Sequence, residues 1–233
     1  MDVRSIKTTF RLPDRAKGPG GLYLIGDILG FVVGLAVAIA ATPGIHDLSS
    51  IAKAASSFLV GSPAAVALTL ATAIFLWSCD FYHRAWKHGY PPDAEMNRRG
   101  DLSSGVGAVA LCFGLALFGN PMLAASSGLL HAAGKFGSAL GPQGAFVFLG
   151  RPVAPDNIYR SSVVLSRIPA LWITSSQLAD SQSPALTQWL LPATMLICYT
   201  LWTAADLLLL KGSIQRSAET LPAVKVGSSL IAS

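Results

Sequence analysis

The sequence predicts an all-α integral membrane protein of four transmembrane helices, and three observations lead there. Of 233 residues, 52% are hydrophobic and only 12% charged, whereas roughly a quarter of a soluble domain is charged. Four stretches are nearly free of charge: Leu22 to Ala41, Ala64 to Tyr82, Leu102 to Phe118, and Leu190 to Leu210. Each reaches or approaches the length that crosses a hydrocarbon core of about 30 Å at about 1.5 Å rise per residue. The third observation is the placement of the basic residues, which gather in the segments on one side of such a four-span chain.

The first stretch is too long for the apolar part of a cleaved leader, contains Asp27 and lacks a small-residue cleavage site, so a retained helix is expected. Gly26, Gly30 and Gly34 recur every fourth residue, which puts them on one face and lets a neighbouring backbone approach closely. The second stretch ends in Asp80, His83 and Arg84, where spacings of three and four bring the base and the acid onto one helical face. From Gly89 to Arg99 the chain reads as a mixed-charge connector with paired prolines, capable of docking a partner but by default solvated. The third stretch begins with Asp101 and repeats small residues at Ser103, Gly107, Ala110 and Gly114.

An outer insertion follows at 143–186. Its apolar pieces, Gly144 to Leu149 and Val163 to Thr174, are too short or too interrupted to span, and Arg160, Arg167 and Trp172 suit the membrane interface. The fourth stretch carries Asp206 near its end, followed by Lys211. The expected organisation is an amino-terminal arm at 1–21, a first hairpin at 22–99, a second hairpin at 100–210 containing the insertion, and a tail at 211–233.

Order and position of landmarks suggest that the two hairpins are tandem repeats with interfacial outer segments. Gly26 and Asp27 correspond to Gly100 and Asp101; Gly44 to His46 corresponds to Gly128 to His131; the triplet Leu76, Trp77, Ser78 before Asp80 corresponds to Leu201, Trp202, Thr203 before Asp206. The alternative is chance similarity between apolar, alanine-rich helices.

Orientation follows from Lys and Arg beside the spans. Twelve sit in the arm, the central connector and the tail, against five (Lys53, Lys135, Arg151, Arg160 and Arg167) in the two outer segments. Both termini are therefore expected in the cytoplasm. The formal charge of +5 is explained by orientation and contact with anionic lipid, without nucleic acid. Cys79, Cys112 and Cys198 all lie in apolar stretches and give no disulfide framework.

Two constellations stand out. Asp27, Asp80, His83, Arg84 and Asp206 form an inner-side polar cluster, to be read either as an ion or proton site or as charge neutralisation that fixes helix register. His46 and His131 are weak candidates for a metal or haem on the outer side, lacking further ligands at suitable spacing. Phosphate loops, HExxH, CxxC and GxSxG are missing, so enzymatic activity has no positive support. No cofactor is expected, with haem or metal left open.

The expected function is a non-catalytic membrane subunit or scaffold, its glycines Gly26, Gly30, Gly34, Gly107 and Gly114 packing helices within the chain or against other subunits or a second copy. The alternatives are a small ion or solute channel or transporter with the acidic cluster lining its inner half, and a haem-bearing redox subunit.

Overall fold

The computed structural model describes residues 18–40, 62–88, 92–142, 146–148, 151–181 and 186–220. These form six α-helices: α1 (Gly18–Ala40), α2 (Pro63–Ala85), α3 (Ala94–Ala116), α4 (Pro121–Leu140), α5 (Pro155–Asp180) and α6 (Leu186–Thr220). Between α4 and α5 lies a short antiparallel hairpin, β1 (Phe146–Phe148) paired with β2 (Arg151–Val153).

Local chemistry sets the helix starts. Asp93 caps α3 by accepting from the Met96 N–H at 2.9 Å, and Glu95 adds negative charge in the first turn. Asn120 caps α4 by accepting from Met122 and Leu123 N–H at 3.1 and 3.2 Å. Pro63, Pro121 and Pro155 begin α2, α4 and α5, where a missing N–H leaves no helical bond unmade.

Three helical segments, Pro19–Ala40, Pro63–Ala85 and Trp189–Ala218, are long and apolar enough to cross a membrane. The remaining helices carry more polar residues, and packing explains why. The buried face of α3 carries Asp101, Ser103 and Ser104, while Val106, Val109, Phe113 and Leu117 are exposed. On α5, Ser166, Arg167 and Thr174 are buried, while Leu165, Ile168 and Trp172 are exposed. Likewise α4 buries Ser127 and His131 and exposes Met122, Leu129 and Leu140. All six helices thus turn large apolar side chains outward, the reverse of a water-soluble bundle.

Successive helices pack antiparallel, and α1 meets α6 to close a ring. Near one end, Cys79 of α2 contacts Asp27 of α1, Tyr82 of α2 contacts Asp101 of α3, Lys135 of α4 contacts Asp101, and Asn157 of α5 contacts Ser217 of α6. Tyr23 of α1 bonds to Asp206 of α6 and completes the circle at that end. Toward the other end, Gly114 of α3 lies on Ala67 of α2, and the Cys112 thiol of α3 donates to the Ala124 carbonyl of α4 at 3.2 Å.

The glycines named from the sequence face neighbouring helices of the same chain. A Cβ on Gly26 would lie 2.7 Å from Trp202 Nε1, one on Gly30 would lie 2.6 Å from Thr72 Cγ2, and one on Gly34 would lie 2.7 Å from Thr69 Oγ1. A Cβ on Gly107 would lie 2.6 Å from the Phe75 ring, and one on Gly114 would lie 3.3 Å from the Ala67 Cβ. Missing side chains here allow α1 to approach both α2 and α6, and α3 to approach α2.

Several sequence expectations are corrected. The insertion 143–186 is not made of short pieces alone: its second part is the 26-residue α5, packed between α4 and α6. Arg160 and Arg167 interrupt its apolar character, yet each has a carboxylate partner, Asp156 and Asp206, so their charge is balanced inside the bundle. The segment after α3, expected as an outer segment, is the helix α4, which runs back beside α3 and brings His131 and Lys135 to the half of the bundle that holds Asp101. The second hairpin accordingly contains two more helices than expected, and α6 continues past 210 to Thr220.

Core and cavity divide the ring along its axis. Ala65, Leu68 and Ala71 from the start of α2, Leu111 and Leu115 from the end of α3, and Leu191, Met195 and Cys198 from the start of α6 form a dense apolar plug. Above it, Phe75, Tyr199 and Trp202 make an aromatic floor, with Trp202 edge-on to Phe75 at 5.5 Å and to Tyr199 at 5.3 Å.

Candidate functional site

A cavity of about 640 Å³ runs from that aromatic floor to the ends of the helices nearest the two termini. It draws its lining from all six helices: Tyr23 and Asp27 of α1, Cys79 and Tyr82 of α2, Asp101 of α3, His131 and Lys135 of α4, Arg160 and Arg167 of α5, Trp202 and Asp206 of α6. Pro19, Trp86, Asn97 and Arg216 stand at its rim.

Three polar clusters hold its walls. In the first, Asp101 Oδ1 accepts from Tyr82 Oη at 2.5 Å and from Lys135 Nζ at 3.4 Å. Its Oδ2 accepts from Ser138 at 2.8 Å and Asn97 at 3.3 Å. Lys135 also donates to Tyr82 Oη at 3.0 Å, so one acid ties together α2, α3 and α4.

In the second, Asp156 accepts from Arg160 Nε at 2.8 Å and Ser213 Oγ at 2.6 Å, joining α5 to α6. In the third, Arg167 Nε and Nη2 both lie 2.8 Å from Asp206 Oδ2, and Tyr23 donates to Asp206 Oδ1. The Arg167 guanidinium stands 5.8 Å from the Tyr199 ring centre and 5.6 Å from that of Trp202, and its Nη1 lies 3.4 Å from His131 Nδ1. Phe75 stacks on the other side of the His131 ring at 6.1 Å.

Asp27 differs from these acids. It is 1% exposed and accepts from the Cys79 thiol at 3.3 Å, but its Oδ1 has no hydrogen-bond partner among the described residues. The indole of Trp202 lies beside it, yet Nε1 also makes no hydrogen bond of good geometry, and neither does His131 Nε2. A buried polar atom without a partner is unfavourable by about 1–3 kcal/mol. All three belong to residues that line the one cavity.

Of the cluster named from sequence, Asp27, Asp80, His83 and Asp206 all line this cavity. Asp80 and Asp206 are not alike in environment. Asp80 makes a half-exposed pair with Arg84 at 2.5 Å on the surface of α2, whereas Asp206 is buried against Arg167. His83 and Arg84 are exposed. His131 lies at the floor of the cavity, and His46 lies outside the described residues. Among the described residues, no group of three His, Cys, Asp or Glu side chains is disposed to hold a metal ion.

Sequence reasoning missed Arg167, Lys135, Tyr23 and Tyr82 as site residues. The pair Asp156 and Arg160, four apart on one helix, offered a local signal. Arg167 and Asp206 stand 39 positions apart and offered none.

These features define a helical chain with an outward apolar surface, three helices able to cross a membrane, and a polar cavity reached from one end. No protein-family model, curated protein or solved structure matches it.

Proposed function

We propose that the chain is a six-span membrane protein that binds a small polar solute or ion in this cavity and passes it across the bilayer by alternating access. The supporting observation is the trio of buried, unpartnered polar atoms, Asp27 Oδ1, Trp202 Nε1 and His131 Nε2, around a cavity bounded by an apolar plug. A scaffold subunit needs apolar outer faces but has no use for unsatisfied polar atoms around an internal cavity. An open channel would lack the plug formed by Leu68, Leu111, Leu115 and Met195.

The same reading places both termini, and the mouth of the cavity, in the cytoplasm. With six spans, Lys53 is the only Lys or Arg in the connections at the opposite end, 41–62, 117–120 and 181–185. That asymmetry is steeper than a four-span arrangement gives, and positive charge favours the cytoplasmic side.

Accessibility tests the reading. In a cysteine-free background, Ser138→Cys in the cavity wall should react with a membrane-impermeant thiol reagent added to the cytoplasmic face of oriented vesicles. Thr200→Cys, exposed on the outer surface of α6, should resist. Equal protection of both positions would refute a water-filled cavity.

A further inference from the structure

The cavity described above also carries information about what fills it, and we infer that its occupant is a small primary-ammonium compound with an oxygen acceptor, held by Asp27, Trp202 and His131. This rests on the solute-binding reading and narrows it to one class of ligand.

Charge comes first. Five aspartates line the cavity, and four have a basic partner: Asp80 with Arg84, Asp101 with Lys135, Asp156 with Arg160, Asp206 with Arg167. Asp27 is the most deeply buried of them and has none among the described residues. A buried carboxylate is strongly unfavourable without a countercharge, and the cavity is where one can enter. The ligand therefore supplies one positive charge with N–H donors for Asp27 Oδ1.

Hydrogen-bond polarity comes second. A guanidinium only donates, so His131 Nδ1, facing Arg167 Nη1, accepts, and the imidazole proton sits on Nε2. His131 Nε2–H is then a donor without an acceptor, and Trp202 Nε1–H lies beside Asp27 without a hydrogen bond of good geometry, both on side chains no more than 5% exposed. A ligand that brought only a cation would leave both unmet. One carrying a hydroxyl or carbonyl oxygen a few bonds from its ammonium meets all three groups.

Ethanolamine is the simplest probe with both features. Purified full-length protein in nanodiscs should bind it saturably, with a change in tryptophan fluorescence, and more tightly than ethylamine by roughly tenfold, the effect of one buried hydrogen bond. Asp27→Asn should abolish binding of both amines. Trp202→Phe should narrow the advantage of ethanolamine over ethylamine while retaining binding, an outcome that misfolding cannot imitate. Glu95→Gln, on the exposed surface of α3 and away from the cavity lining, should leave ethanolamine binding unchanged.

Absence of saturable ethanolamine binding, or binding that survives Asp27→Asn, would overturn the inference. So would equal affinity for ethanolamine and ethylamine in the unaltered protein, or tighter binding of glycine or Na⁺ than of ethanolamine. Thiol labelling of Ser138→Cys distinguishes this failure from that of the wider reading: a labelled cavity that rejects ethanolamine leaves a solute site with another ligand.

Discussion

Arg167 of α5 and Asp206 of α6 form an ion pair at 2.8 Å with side chains only 3% and 6% exposed, in the middle of a bundle whose outer surface is apolar. The pair joins α5 to the ring, receives the Tyr23 hydroxyl from α1, and positions Arg167 beside His131 of α4. Four helices therefore depend on one charge balance.

Removing either partner leaves a buried charge uncompensated. Arg167→Met or Asp206→Asn should lower stability by about 3–5 kcal/mol, read as thermal unfolding in detergent, while the paired change Arg167→Met with Asp206→Leu should recover most of that loss. Equal destabilisation by single and paired changes would contradict the charge argument.

The Asp80 and Arg84 pair supplies a contrast. It lies on the surface of one helix, with side chains 37% and 61% exposed, where side-chain entropy and solvent screening oppose the attraction. Asp80→Asn should alter stability by less than about 1 kcal/mol in the same assay. The two carboxylates thus separate by environment, Asp80 near the end of α2 and Asp206 within the length of α6.

Close packing makes a third prediction. A Cβ on Gly134 would lie 2.5 Å from the Tyr159 carbonyl oxygen of α5, a backbone atom that cannot rotate away. Gly134→Ala should be destabilising by about 1–3 kcal/mol, whereas Gly20→Ala, with nothing within 4 Å, should stay within about 0.5 kcal/mol of the unaltered chain. Melting temperatures of the two variants decide it.

The proposed six-span arrangement is open to a lipid measurement. Trp172 on α5 is 67% exposed on the outer surface, while Trp202 is 1% exposed inside the ring. In variants retaining one tryptophan, bilayers of brominated lipid should quench Trp172 strongly and Trp202 weakly. An unquenched Trp172 would mean that α5 does not face acyl chains.

The membrane class was legible because hydrophobicity is a property of segments: Leu22 to Ala41, Ala64 to Tyr82 and Leu190 to Leu210 each declare their preference for lipid locally. Their helices in the structure, α1, α2 and α6, begin and end a few residues from those limits, except that α6 runs on to Thr220. The caps Asp93 and Asn120 and the prolines at 63, 121 and 155 are local signals of the same kind. In α5 the local signal misled, since Arg160 and Arg167 looked incompatible with burial when considered without their partners.

By itself, then, the sequence determined a lipid-facing α-helical chain with its acids near one end of the helices and glycines where backbones meet. Only tertiary structure decided that the six described helices close into a ring, that Arg167 finds Asp206, and that Asp27, beside Trp202 and His131, has no basic partner among the described residues. The physical reason is that hydrophobicity and helix capping act over one or two turns, whereas the balance of a buried charge depends on residues tens or hundreds of positions away.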